Sequence, residues 1–178
     1  GKIEHKSQYL NFEQGVFPNY EFLRALKNDL SGIKGTIFRY HDHENNYLNH
    51  LYNQLFVENT NDVPDKEELM SFIREIATPN SSTLGEPWTP KNNMEDLWDF
   101  VVRYFYSLYA KGSNSIKDIL PAIIKSSDYL RQKYSQPIYG TDIMPSLNFP
   151  EPHIWIDENY EQNPYKTLPA IFEENFIN

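Results

Sequence analysis

The stretch GTIFRYHDHENNYLNHL, Gly35 to Leu51, changes character twice. Thr36 to Tyr40 is β-branched and aromatic, the composition of a strand. From about His43, Tyr47, Leu48, Leu51, Tyr52, Leu55 and Phe56 recur at helical spacing, so an amphipathic helix follows. Between the two lies a polar knot of Asp42 and Glu44 among His41, His43 and, further on, His50. Ligand sites in α/β proteins gather where a strand ends and a helix starts. The helix dipole also favours carboxylates there, so Asp42 as an N-cap and Glu44 as a first-turn acid is an equally open reading.

A zinc site is not the expected reading of the histidines, although His41 and His43, one residue apart, could both bind if extended. Zinc takes three or four ligands at ~2 Å. His43 and His50 lie ~10 Å apart along a helix axis and cannot share one ion. His50 reads as a helix-surface residue. Magnesium or manganese chemistry instead needs carboxylates from several elements, set around ions ~4 Å apart. Asp42 and Glu44 are candidate metal ligands. Glu95, Asp96 and Asp99, at the start of a later aromatic helix, are candidates to join them. Asp96, beside Leu97 and Phe100, is the one expected to point inward. A plain first-turn acid is its alternative.

Outward from the knot, Pro18-Asn19 opens a helix carrying Phe22, Leu23, Leu26 and Leu30, and Gly32 stops it. Asp65 with Glu68 three residues on predicts a capping box before Leu69, Phe72, Ile73 and Ile76. Residues 78–92 hold three Pro and one Gly and predict a long loop, functional or mobile. Asn93 is expected to cap a largely buried helix bearing Leu97, Phe100, Val101, Tyr104, Phe105 and Leu108. A further helix starts near Ser115, interrupted or kinked at Pro121, and Tyr129 to Tyr134 forms a short one. Residues 135–178 are a Pro-rich, irregular tail expected to pack on the domain, with a helix only at Leu168–Asn175. Residues 1–17 show no clean period and predict an extended segment. The expected class is α-rich α/β: few strands, packed on several helices. One strand cannot stand alone. Its partners are expected from the N-terminal stretch, the tail or a missing part of the chain.

The 178 residues suit a single domain or domain fragment. Twenty-seven aromatic residues point to an aromatic core. With no Cys, disulfides and thiolate metal sites are excluded. No apolar run approaches the ~18 residues of a membrane span, and no signal peptide is visible. A cytoplasmic bacterial protein is expected. Gly1, in place of Met, reads as a cloning remnant on a piece of a longer chain. The net charge of −9 is unevenly spread. Residues 41–100 hold three basic and twelve acidic residues, whereas 101–134 hold six basic and two acidic. One basic segment in an acidic frame permits nucleic-acid binding. Inside it, Lys111, Ser113, Ser115 and Lys117 offer ammonium groups, hydroxyls and amides to a phosphate backbone. An ordinary Ser N-cap is the competing reading. No Walker, GxSxG or dinucleotide-binding glycine pattern occurs.

The succession IFRYHDHENNYL, MEDLWDFV, KGSNSIKDILPAI and SSDYLRQKYSQPIYG resembles a bacterial domain family of unknown function. That family is thought to have a ribonuclease-H-like fold related to the DEDD exonucleases. Tyr40, His41 and Glu44 match its Tyr-Asn-x-x-Phe-Glu-like motif, with His41 where the family tends to have Asn. Asp96-Leu97 match its Asp-Leu. Gly112, Ser115, Ile116, Lys117, Leu120 and Pro121 match its Gly-x-x-Ser-Ile/Leu-Lys and Leu-Pro segment. The likeness covers roughly Gly35 to Gly140. It implies a partial ribonuclease-H-like domain and metal-dependent 3'-5' exonuclease chemistry on single-stranded nucleic acid. Glu44 and Asp96 would be catalytic, and Mg or Mn would be the cofactor of the intact protein. No Asp-x-Glu follows a strand before Gly35, and no helix after Gly140 carries a well-placed Asp. The chain is therefore expected to be the middle of such a domain, inactive and without metal on its own. The alternative expectation is an acidic module of immunity or scaffold type that docks a basic protein partner.

Overall fold

The computed structural model describes residues 9–11, 13–142, 144–145, 149, 151–157 and 159. Tyr9–Phe105 form one compact unit, and the described residues from Tyr106 onward belong to a second. Among the described residues there are six α-helices and two short strands, an α-rich α/β chain. No helix among them is long and apolar enough to cross a membrane.

The first unit is built on three helices, α1 (Asn19–Leu30), α2 (His43–Val57) and α3 (Lys66–Ile76). Their apolar stripes meet in one core of Leu23, Leu48, Leu51, Tyr52, Leu55, Leu69, Ile73 and Ile76. α1 ends as expected. Ser31 turns its N–H and hydroxyl back to the Lys27 carbonyl, and Gly32 follows at φ +77°, a left-handed value that suits glycine. At its start the Asn19 amide donates to Gln54 (3.0 Å) and accepts from the Tyr47 hydroxyl (3.2 Å), tying α1 to α2.

The capping box does not form. Asp65 stands at the N-cap of α3 without bonding its amides. Its carboxylate takes two bonds from Arg24 of α1, at 2.7 and 2.6 Å, and Glu68 pairs with Lys27. A bidentate guanidinium outcompetes a backbone amide for a carboxylate. These hydrogen bonds hold the Asp65 carboxyl below its ordinary 3.8, with burial opposing the shift.

The 78–92 loop is tied down by α2. Asn45 and Asn49 are buried and face the loop. Asn45 exchanges two bonds with the backbone of Thr78, both at 2.9 Å. Asn49 donates to the same Thr78 carbonyl and accepts from the Thr83 hydroxyl. One turn on, Asn53 donates to the Ser82 carbonyl and accepts the Leu84 N–H. Trp88 anchors the far end by donating to the Ala77 carbonyl and stacking near Tyr52. At Gly85 (φ +79°) a Cβ would lie 2.9 Å from the Phe56 ring, so the loop passes closely over that ring.

The strand is shorter than its sequence suggests, and its partner comes from elsewhere. β1 (Phe38–Arg39) pairs in parallel with β2 (Glu95–Asp96), Phe38 opposite Glu95 and Arg39 opposite Asp96. The segment expected to be a helix start is thus a strand. The reason is non-local: Met94 N–H bonds Ile76 O and Glu95 N–H bonds Ile37 O, drawing the chain alongside β1. Asn93, expected as the cap, instead accepts from the Thr78 hydroxyl. The helix that follows, α4 (Leu97–Tyr104), has eight residues, and none is buried. The expectation of a largely buried helix fails, with Phe100 52 % exposed.

In the second unit, a 3-10 turn (Leu108–Ala110) packs on α5 (Ile116–Ser126), which is followed by α6 (Asp128–Tyr134). Ser115 and Ser127 cap the two helices. α5 runs through Pro121 without ending there. Ile124 and Ile156 form a small core with Leu120, Tyr134 and Trp155 around it, so Trp155 and Ile156 pack on α5 and α6. Its only regular pairing among the described residues is the bridge Tyr139 to His153. The expected helix at Leu168–Asn175 lies outside the described residues.

Candidate functional site

Both parallel strands lead into helices at the same polar knot. β1 continues through Tyr40 to Asp42 into α2, and β2 runs directly into α4. Asp96 ends β2 and caps α4. Its Oδ1 accepts the N–H of Trp98 at 2.9 Å and the N–H of His41 at 2.8 Å. Its Oδ2 lies 3.0 Å from Arg39 Nη1. The same nitrogen lies 3.0 Å from Asp42 Oδ1 and donates to the His41 carbonyl. One guanidinium therefore links two carboxylates and a carbonyl. The Arg39 and Asp96 side chains are only 15 % and 12 % exposed, and a pair so shielded needs this many hydrogen bonds to offset its desolvation.

His41 takes φ +67°, and its ring meets Trp98 edge-on with centroids 4.9 Å apart. Asn, Asp and His are the side chains that best tolerate the left-handed region. The turn at His41 aims its N–H at Asp96. His43 and His50 are exposed on α2, His50 as its spacing predicts. Neither joins the knot.

Asp42 occupies the N-cap of α2 without a capping bond, because Arg39 holds its carboxylate. Glu44 stands in the first turn of α2, exposed, with no hydrogen bond or ion pair among the described residues. Beside the knot, Glu95, Asp96, Asp99, Phe100, Arg103 and Tyr104 line a depression of about 150 Å³. Asp99 faces Arg103 at 3.8 Å.

The structure thus brings Asp42 and Asp96 together and leaves Glu44 near them on the adjoining helix. It does not gather three of these acids. Among the described residues no three His, Asp or Glu side chains come close enough to hold a metal ion. Asp42 and Asp96 already share a cation, the Arg39 guanidinium, so these donors alone do not fit a resident Mg²⁺ or Mn²⁺. Arg39 went unread in the sequence, where it looks like any polar residue of a half-buried strand.

In the second unit, Lys111 follows the 3-10 turn at φ +53° and is exposed, as is Lys117. The Ser113 hydroxyl donates to Asp118 at 2.6 Å and accepts the Ser115 N–H. Ser115 Oγ accepts the Lys117 N–H at 3.3 Å. Ser113 gives its proton to Asp118, whereas Ser115 only accepts, so its O–H can still donate to an incoming phosphate alongside the lysines.

A cleft of about 690 Å³ in the first unit, between the end of α1 and α3, is lined by Lys27, Lys34, Glu68 and Glu75. Lys27 pairs with Glu68, and Glu75 accepts from the Asn92 amide. Comparison of the chain with protein-family models, with curated proteins and with solved structures gives no match in any of the three.

Proposed function

We propose that this chain contributes to a metal-dependent, nuclease-like domain of ribonuclease-H type that hydrolyses phosphodiester bonds in single-stranded nucleic acid. One observation carries the reading. Two parallel strands end at one edge in acid-bearing strand-to-helix junctions, the position at which α/β folds hold their ligands. The motif likeness around Tyr40–Glu44, Asp96-Leu97 and Gly112–Pro121 points the same way. Glu44, exposed and unpaired, is the carboxylate available to a metal. Asp96 orients the junction through His41, Trp98 and Arg39. Asp42, Glu44 and Asp96 do not by themselves fit Mg²⁺ or Mn²⁺, so a metal would need further carboxylates and the reading concerns the intact protein.

The test is hydrolysis of labelled single-stranded DNA and RNA by the intact protein with either metal. Glu44→Gln should abolish cleavage and leave the melting temperature unchanged. Cleavage that survives this change, or an intact wild type inactive with both metals, overturns the proposal.

A second reading, an acidic module that docks a basic protein, is favoured by the exposed apolar residues of α4 next to the acidic 41–100 segment. Salt-sensitive binding of a purified basic protein, lost in Phe100→Asp, together with no cleavage, would support it.

A further inference from the structure

The segment that opens the second unit presents rings to water. Tyr106 is 87 % exposed and Tyr109 is 50 % exposed, with Leu108 also exposed between them. Neither ring serves the small core of this unit, which is built from Ile124, Ile156 and their neighbours. Lys125 Nζ, from the last turn of α5, lies over one face of the Tyr109 ring, 4.9 Å from its centroid, which leaves the other face to a base. The contact is possible because the 3-10 turn packs on α5. Lys111 follows that turn directly, and Lys117 stands in the first turn of α5.

The charge here is not cancelled. Among the described residues no carboxylate forms an ion pair with Lys111, Lys117 or Lys125. Asp118 accepts from the Ser113 hydroxyl and keeps its charge, and Asp128 pairs with Arg131. Residues 101–134 carry six basic residues against two acidic ones in an otherwise acidic chain.

Exposed aromatic faces beside unpaired ammonium groups match single-stranded nucleic acid. Unstacked bases lie on the rings, and the phosphates that follow them meet the lysines. A duplex keeps its bases stacked and offers the rings nothing. We propose that Tyr106 and Tyr109, with Lys125, Lys111 and Lys117, form a stacking platform for single-stranded nucleic acid. The proposal rests on the nucleic-acid reading above and adds the residues that hold the strand.

The experiment measures fluorescence anisotropy of labelled oligothymidylate with the intact protein in EDTA, so that binding is read without hydrolysis. Tyr106→Ala and Tyr109→Ala should each weaken binding by about 5- to 150-fold. Tyr109→Phe, which keeps the ring face, should bind like wild type. Lys111→Gln and Lys117→Gln should each lower the salt slope by roughly 0.7. Circular dichroism checks that each variant is folded, as exposed positions predict. Unchanged affinity in both Tyr→Ala variants, or equal binding of the duplex with oligoadenylate, overturns the platform, as does tighter binding of polyglutamate. Tyrosine-dependent binding without cleavage in Mg²⁺ or Mn²⁺ keeps the platform and removes the nuclease. Cleavage with tyrosine-independent binding does the reverse.

Discussion

α3, KEELMSFIREI, and α4, LWDFVVRY, each set apolar residues on one side of a helix and charges on the other. α3 lies against α1 and α2 and buries Leu69, Met70, Phe72, Ile73 and Ile76. α4 touches β1, and its Phe100 and Tyr104 stay in water. Amphipathic spacing states which side of a helix would gain by burial. Whether that side is covered depends on elements distant in the chain, and here two similar stripes receive opposite answers.

The comparison breaks most sharply at Ile73, which is fully buried. Ile73→Ala should cost about 2–5 kcal/mol, seen as a lower urea midpoint at unchanged slope. A loss under ~1 kcal/mol would mean that the α3 core is far looser than described. Asn49→Ala comes next. It strips the Thr83 hydroxyl and the Thr78 carbonyl of a partner and should cost about 1–3 kcal/mol. Proteolytic nicking in 78–84 should rise with it. Intact resistance there would show that the asparagines do not pin the loop.

A smaller effect is pH-dependent. Hydrogen bonds from Arg24 hold the Asp65 carboxyl below 3.8 in the folded chain. A carboxyl depressed on folding stabilises above its unfolded value, and the contribution is lost as pH falls through the lower folded value. Asp65→Asn should therefore flatten the acid limb of the stability curve. Near neutral pH it should cost ~0.2–1 kcal/mol, since the pair is partly exposed. An unaltered acid limb would show the pair to be idle. The smallest effect belongs to α4: Phe100→Ser should change stability by no more than ~0.5 kcal/mol. A loss comparable with that of Ile73→Ala would mean that α4 is covered after all.

The helices were legible because their signals are local. Leu23, Leu48, Leu51 and Ile73 sit where the stripes put them, and Ser115 caps α5 through the residue two positions on. The knot was legible in its residue types and not in its bonding. Asp42 and Asp65 both stand at N-caps, and both are drawn away by arginines, Arg39 three residues back and Arg24 from another helix. Asp96 became a strand end because Glu95 found the Ile37 carbonyl, a pairing no short window contains. The loop anchors were missed because asparagines on a helix read as a solvated face. Their spacing was the available signal: Asn45, Asn49 and Asn53 recur every four residues along one side of α2, although the loop they hold begins only after α3.

The bond from the His41 N–H to Asp96 joins residues 55 apart. Closing so long a loop costs chain entropy that two-residue strands cannot repay by themselves. α2 and α3 must first shorten the gap by packing on each other. The knot should therefore form after the helices of its unit pack and open before they separate. Its amides should exchange with solvent while the helical core is still closed, so the acids it carries are brought together only as long as that late-forming contact holds.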